Sequence, residues 1–119
     1  MIRTLVLGAS LHKNRYAHLA IRRLQHQNFP VVGIGSRTGM VGETSIHTEK
    51  IPLKNIHTVS IYLNPENQEE YYSYIVDLNP DRVIFNPGTE NPRFEALLSH
   101  HKIPFERSCT LVLISTGQF

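Results

Sequence analysis

The chain switches between short continuous apolar runs and stretches where apolar residues recur every three to four positions, the patterns of buried strands and amphipathic helices. Residues 3–7 (RTLVL) form the first run, which stops at Gly8-Ala9-Ser10. From Arg15 to Gln27, Ala17, Ala20, Ile21 and Leu24 share one helix face, while Arg15, His18, Arg22 and His26 fall on another. Asn28-Phe29-Pro30 ends that helix, and Val31-Val32-Gly33-Ile34 predicts a second buried strand running into Gly35-Ser36-Arg37-Thr38-Gly39. Residues 40–57 are weakly patterned and read as a long connection with room for one short strand.

A third strand is predicted over 58–63 (TVSIYL), followed by Asn64-Pro65, a cap residue with proline at the first helical position. Tyr71, Tyr74, Ile75 and Leu78 then mark the buried face of a helix. Asn79-Pro80-Asp81 turns the chain into a fourth strand, Arg82-Val83-Ile84-Phe85, which breaks at Asn86-Pro87-Gly88. Asn91-Pro92 repeats the cap device for a helix with Phe94, Leu97, Leu98 and His101 on one face. Ile103-Pro104-Phe105 begins a fifth strand, and the apolar run Thr110–Ser115 is too short for periodicity to separate strand from helix. The alternation predicts one α/β domain over residues 1–119, Rossmann-like and doubly wound, with about five mostly parallel strands and helices on both faces. In such sheets ligands sit outside the carboxyl ends of the strands, where the loops after the first four strands should converge.

A length of 119 residues suits a single domain, and 40% hydrophobic with 18% charged residues is a globular composition. No apolar run approaches the roughly 18 residues that span a bilayer, and the first apolar stretch is too short for a secretory signal. The single cysteine, Cys109, cannot form an internal disulfide, so a reducing cytoplasm is the expected location. The net charge of +2 hides an asymmetry: residues 1–60 carry eight Lys or Arg against two acids, and residues 61–119 four against eight. A nucleic-acid binder usually sustains one basic surface, so the split points to a local anionic ligand and away from DNA or RNA.

The first loop, GASLHKNR, has one glycine where a dinucleotide fingerprint has three, but it lies between a predicted strand and helix, where free N–H groups favour an anion. Lys13 and Arg15 stand at the positive end of that helix, where a cation costs roughly 0.3 to 1 kcal/mol unless an anion is bound. After the second strand an NAD site places an acid for the ribose hydroxyls; this chain has Arg37 instead. That favours a ligand with a phosphate on its ribose, NADP or coenzyme A.

The stretch GASLHKNRYAHLAIRRL, a glycine-containing second-strand loop, NPGTENP and a cysteine after the fifth strand together resemble the small stand-alone CoA-binding-domain proteins. Their fold is similar to the N-terminal domain of the succinyl-CoA synthetase alpha subunit. The resemblance spans nearly the whole chain and implies binding of coenzyme A or an acyl-CoA, with an NADP-dependent or other nucleotide-utilising enzyme as the alternative. It implies that Gly8, Ala9, Ser10, Lys13 and Arg15 hold phosphates, that Arg37 approaches the nucleotide end, and that Asn64, Pro65, Asn86, Pro87 and Gly88 complete the cleft. The chain differs from many members in its second-strand end, Val31-Val32-Gly33-Ile34-Gly35-Ser36, and in lacking tryptophan.

Other chemistry finds no anchor. Seven histidines include one adjacent pair, His100-His101, whose side chains diverge on a helix, so no metal site is expected. The chain has no nucleophile elbow, H-E-x-x-H helix or G-K-[ST] loop. Cys109, flanked by Thr110, Leu111 and Val112, is expected to be buried packing, and Glu90 lacks an evident partner as a base. The synthetase relatives work with additional domains, so catalysis by this chain alone is not expected. The residues leave a homo-oligomer open.

Overall fold

The computed structural model describes residues 2–119. Its elements are β1 (Thr4–Ala9), α1 (Tyr16–His26), β2 (Val31–Gly35), β3 (Gly39–Val41), β4 (Thr44–His47) and β5 (Thr58–Ile61). After these come α2 (Pro65–Gln68), a 3₁₀ turn (Glu69–Tyr71), α3 (Tyr72–Leu78), β6 (Arg82–Phe85), α4 (Pro92–His100), β7 (Phe105–Arg107) and α5 (Thr110–Ser115). No helix among the described residues is long and apolar enough to cross a membrane.

One seven-stranded sheet runs in the order β3-β4-β2-β1-β5-β6-β7, with every neighbouring pair parallel except β3 with β4. The expected count of about five strands is therefore low by the β3–β4 hairpin, which but for Gly39 falls within the weakly patterned segment. Its pattern is weak because the hairpin forms a sheet edge: Met40 and Ser45 point to solvent while only Val41, Thr44 and Ile46 are buried. The run Thr110–Ser115 is a helix, and Cys109 is its half-buried N-cap residue instead of fully buried packing.

The sheet separates two apolar layers. Leu5, Leu7, Ile34, Val59, Ile61, Val83 and Phe85 face α3 and α4, packing with Ile75, Phe94 and Leu98. Val6, Ala9 and Ile46 face the other way and pack with Ala17, Ile21 and Leu24 of α1 and Ile114 of α5. The chain goes from β1 out to β2 and later returns to β5 on the other side of β1. Strand order reverses there, which opens a crevice above the carboxyl end of β1.

Under α5 the sheet face is polar, and Asn86 organises it. Only 2% exposed, it donates from Nδ2 to Ser60 Oγ and to the Ile61 carbonyl, both at 2.9 Å, and accepts the Thr110 N–H at 2.8 Å. Ser60 and Thr110 hydroxyls bond to each other at 2.8 Å. One side chain thus ties β5, β6 and α5 together with no polar group of its own left over. Asn86→Leu leaves a buried N–H and a buried carbonyl without partners, and is expected to lower unfolding free energy by about 3 kcal/mol. Urea denaturation with an unchanged slope checks this.

Candidate functional site

A cleft of about 930 Å3 lies over the carboxyl ends of β1, β2, β5 and β6. Its deepest wall depends on a missing atom: Gly8 has φ +90°, and a Cβ there would sit 2.9 Å from the Tyr62 carbonyl carbon. The register of β1 against β2 shifts between Leu7 and Ala9, a bulge that turns the chain out of the sheet at this point. A Cβ on Gly35 would overlap the Ala9 carbonyl oxygen, so β2 also needs glycine where it borders the loop.

The loop leads into α1, whose first turn differs from those of α2 and α4. Those two helices begin at Asn64 and Asn91, whose side chains accept the Asn67 and Phe94 N–H groups, each with proline following. At α1 the N-cap is Arg15, with no side-chain cap and no acid in the first turn. The N–H groups of Tyr16, Ala17 and His18 therefore have no acceptor among the described residues, and Arg15, Tyr16 and Ala17 border the cleft. Free donors, the positive helix end and a cation at one place favour a bound anion.

Across the crevice stand Ser36 and Arg37, with His12 from the first loop, and Thr48 follows β4. The opposite wall is Tyr62, Leu63, Asn64 and Asn67, with Glu70, Tyr71, Pro87, Gly88 and Thr89. Gln68, fully buried, braces this wall: Nε2 donates to the Leu63 carbonyl at 2.9 Å and the Thr89 carbonyl at 2.8 Å, and Oε1 accepts from Asn91 at 2.9 Å. Glu70, the one lining carboxylate, is paired with Lys50 at 3.3 Å, and Lys50 also lies over the Tyr71 ring. Glu90 accepts the Gly88 N–H at 2.9 Å.

Of the residues singled out from sequence, Gly8, Ala9, Ser10, Arg15, Arg37, Asn64, Pro87 and Gly88 line the cleft together. Lys13 and Pro65 are exposed outside the lining, and Asn86 lies beneath it with its side chain fully engaged. Thr48, Glu70 and Tyr71 also line the cleft without having been expected there; Lys50 of the long connection contacts both Glu70 and Tyr71 of the 3₁₀ turn. His12, Tyr16 and Ser36, neighbours in sequence of expected lining residues, line the cleft as well, and that adjacency is the signal that points to them. Tyr62 belongs to the lining, while its hydroxyl is buried without a hydrogen bond. Burial pushes that phenol up to about 12, which the nearby Thr110 and Ser60 hydroxyls only partly offset.

Residues 3–115 match the family profile described as CoA binding domain, and the chain belongs to that family. A solved structure of an uncharacterized protein is 44% identical, covering 100% of this chain and 98% of that one, with a TM-score of 0.96. A Thermus thermophilus structure is 21% identical over 99% of this chain and 90% of its own, with a TM-score of 0.87. A hypothetical protein from Pyrococcus horikoshii OT3 is 18% identical over 95% and 81%, with a TM-score of 0.85. The last two show the fold alone. No curated protein matches the sequence.

Two substitutions separate the roles of the crevice floor. Gly8→Val places a β-branched residue at positive φ against backbone and should cost about 2 kcal/mol or more, measured by thermal unfolding. Tyr62→Phe keeps the ring and removes a buried hydroxyl without a partner, so stability at neutral pH should hold or rise by up to about 1 kcal/mol. Because the folded phenol titrates near 12 against an ordinary 10.0, its contribution is intact below pH 10.0 and is lost as pH rises towards 12. Wild type should therefore lose more stability than Tyr62→Phe across that alkaline window.

Proposed function

We propose that this member of the CoA binding domain family holds coenzyme A or an acyl-CoA in the cleft, without catalysis by this chain alone. The observation that carries the reading is the uncapped N-terminus of α1, bordered by Arg15 and opening into a cleft whose one lining acid is already paired. In this reading the loop Gly8-Ala9-Ser10 and the first turn of α1 take the pyrophosphate, with Lys13 adding positive charge nearby. Arg37, across the crevice, takes the ribose phosphate. The Asn64-Pro65 and Pro87-Gly88 turns close the pantetheine side, and Asn86 supports them from below. Glu90 acts on the backbone of its own loop, which leaves it committed to structure instead of proton transfer.

Isothermal titration tests the ligand: CoA should give saturable heat, and no heat at millimolar CoA overturns the reading. Protection against thermal unfolding by NADP and not by CoA would replace it with the NADP alternative. Mass spectrometry of small molecules released after native purification provides an independent check.

Arg37 supplies the sharper test. A charge-assisted contact to a phosphate is worth about 1.5 to 3 kcal/mol, and because Arg37 is exposed the lower end applies. Arg37→Ala should weaken CoA about tenfold and leave dephospho-CoA nearly unchanged. Raising salt should shrink the difference. Equal losses for both ligands would move Arg37 away from the ribose phosphate.

A further inference from the structure

Beneath the first loop lies a polar side chain with no part in the lining. His18, in the first turn of α1, is only 6% exposed. Its Nδ1 is 3.0 Å from the Ser10 carbonyl oxygen. A carbonyl oxygen can only accept, so Nδ1 carries the ring proton. Arg22, one turn further on, directs its Nε–H at His18 Nε2 over a long 3.5 Å, the contact expected for the ring nitrogen left as acceptor. Both contacts specify the same tautomer.

The consequence passes through one peptide plane. In a trans peptide the carbonyl and the following N–H point in opposite directions, and the described chain has no cis bonds. Holding the Ser10 carbonyl against His18 therefore turns the Leu11 N–H away from α1. That N–H has no partner among the described residues, whereas the next one, His12 N–H, is already bonded to Ser10 Oγ at 3.1 Å. Leu11 borders a recess of about 40 Å3 shared with Ser36 and Arg37.

We propose that His18, with Arg22 behind it, is a positioning residue that presets the 10–11 peptide so that the Leu11 N–H donates to a phosphate of the bound nucleotide. The role rests on the CoA reading and adds to it a donor that needs no rearrangement on binding, which is how a preset loop improves affinity. A histidine serving only as filler would tolerate any side chain of similar volume. A positioning histidine needs a donor at Nδ1.

Asn places an amide nitrogen near the Nδ1 position, and Gln places one near Nε2. His18→Asn should bind CoA within about threefold of wild type and His18→Gln about tenfold more weakly, the factor expected for one hydrogen bond. Both variants lose ring packing, so their thermal midpoints should fall by similar amounts. The backbone amide resonance of Leu11 should move on CoA addition in wild type and His18→Asn, and less in His18→Gln. Equal CoA affinities for the two variants overturn the role while the ligand reading stands; absence of CoA binding by wild type overturns the ligand and the role with it. Should His18→Gln fail to fold, the ring nitrogen spectrum of free wild type decides: a proton on Nδ1 supports the proposal, and its absence from Nδ1 overturns it.

Discussion

The approach of Gly8 to the backbone of Tyr62 is the constraint on which the rest of the molecule depends. β1 is the strand at which the order reverses, with β2 on one side and β5 on the other, so its exit is confined from both directions. The Tyr62 N–H bonds to the Leu7 carbonyl at 2.7 Å, drawing the end of β5 against β1 just as the chain must turn. Only a residue without Cβ can adopt φ +90° there at low cost and leave room for the neighbouring carbonyl. Once it does, the loop falls into the crevice and α1 begins at its edge. The depth of the cleft and the position of the free helix donors follow from one backbone contact.

Polar satisfaction divides sharply at this level. Beneath the lining, the two bridging amides are fully matched, with the Tyr62 hydroxyl left as a buried exception: Asn86 joins two strands to α5, and Gln68 joins the loops after β5 and β6. At the lip, the first N–H groups of α1 and the Leu11 N–H find no acceptor within the described residues. Unpaired donors at a water-filled edge are inexpensive, because solvent satisfies them until a stronger acceptor arrives. The same donors under α4 or α5 would cost far more. The arrangement keeps the rigid network where it fixes the walls and keeps the exchangeable donors where an anion can reach them.

The legibility of this architecture follows the same division. Buried strands and amphipathic helices announced themselves because both sheet faces are covered, so Leu5-Val6-Leu7 and Ala17, Ala20, Ile21, Leu24 had to be apolar. The β3–β4 hairpin did not, because an edge strand with one face in solvent tolerates Met40 and Ser45 outside and leaves too few apolar positions to count. Cleft residues that follow a strand directly, such as Ser10, Arg37 and Gly88, were legible from order alone. Asn86 looked equivalent to Pro87 and Gly88 in sequence, yet the pleat sends its side chain under the sheet's covering helix while its neighbours face the crevice. Thr48, Glu70 and Tyr71 could not be read, because their place depends on how a long connection crosses the molecule.

Charge completes the asymmetry that the net value conceals. The first 42 residues contain six cations, Arg3, Lys13, Arg15, Arg22, Arg23 and Arg37, and no acid. All four ion pairs found among the described residues, Lys50–Glu70, His57–Asp81, Arg82–Glu106 and Arg107–Glu95, fall later in the chain. Half of the eight acids in residues 61–119 are thus paired among the described residues, and none of the early cations is. Arg15, from the loop after β1, and Arg37, from the loop after β2, both border the cleft, so their fields add there. A net charge of +2 would suggest little attraction for an anion. The segregation of unpaired cations onto the first β-α-β unit is the electrostatic argument for a negatively charged guest in this crevice.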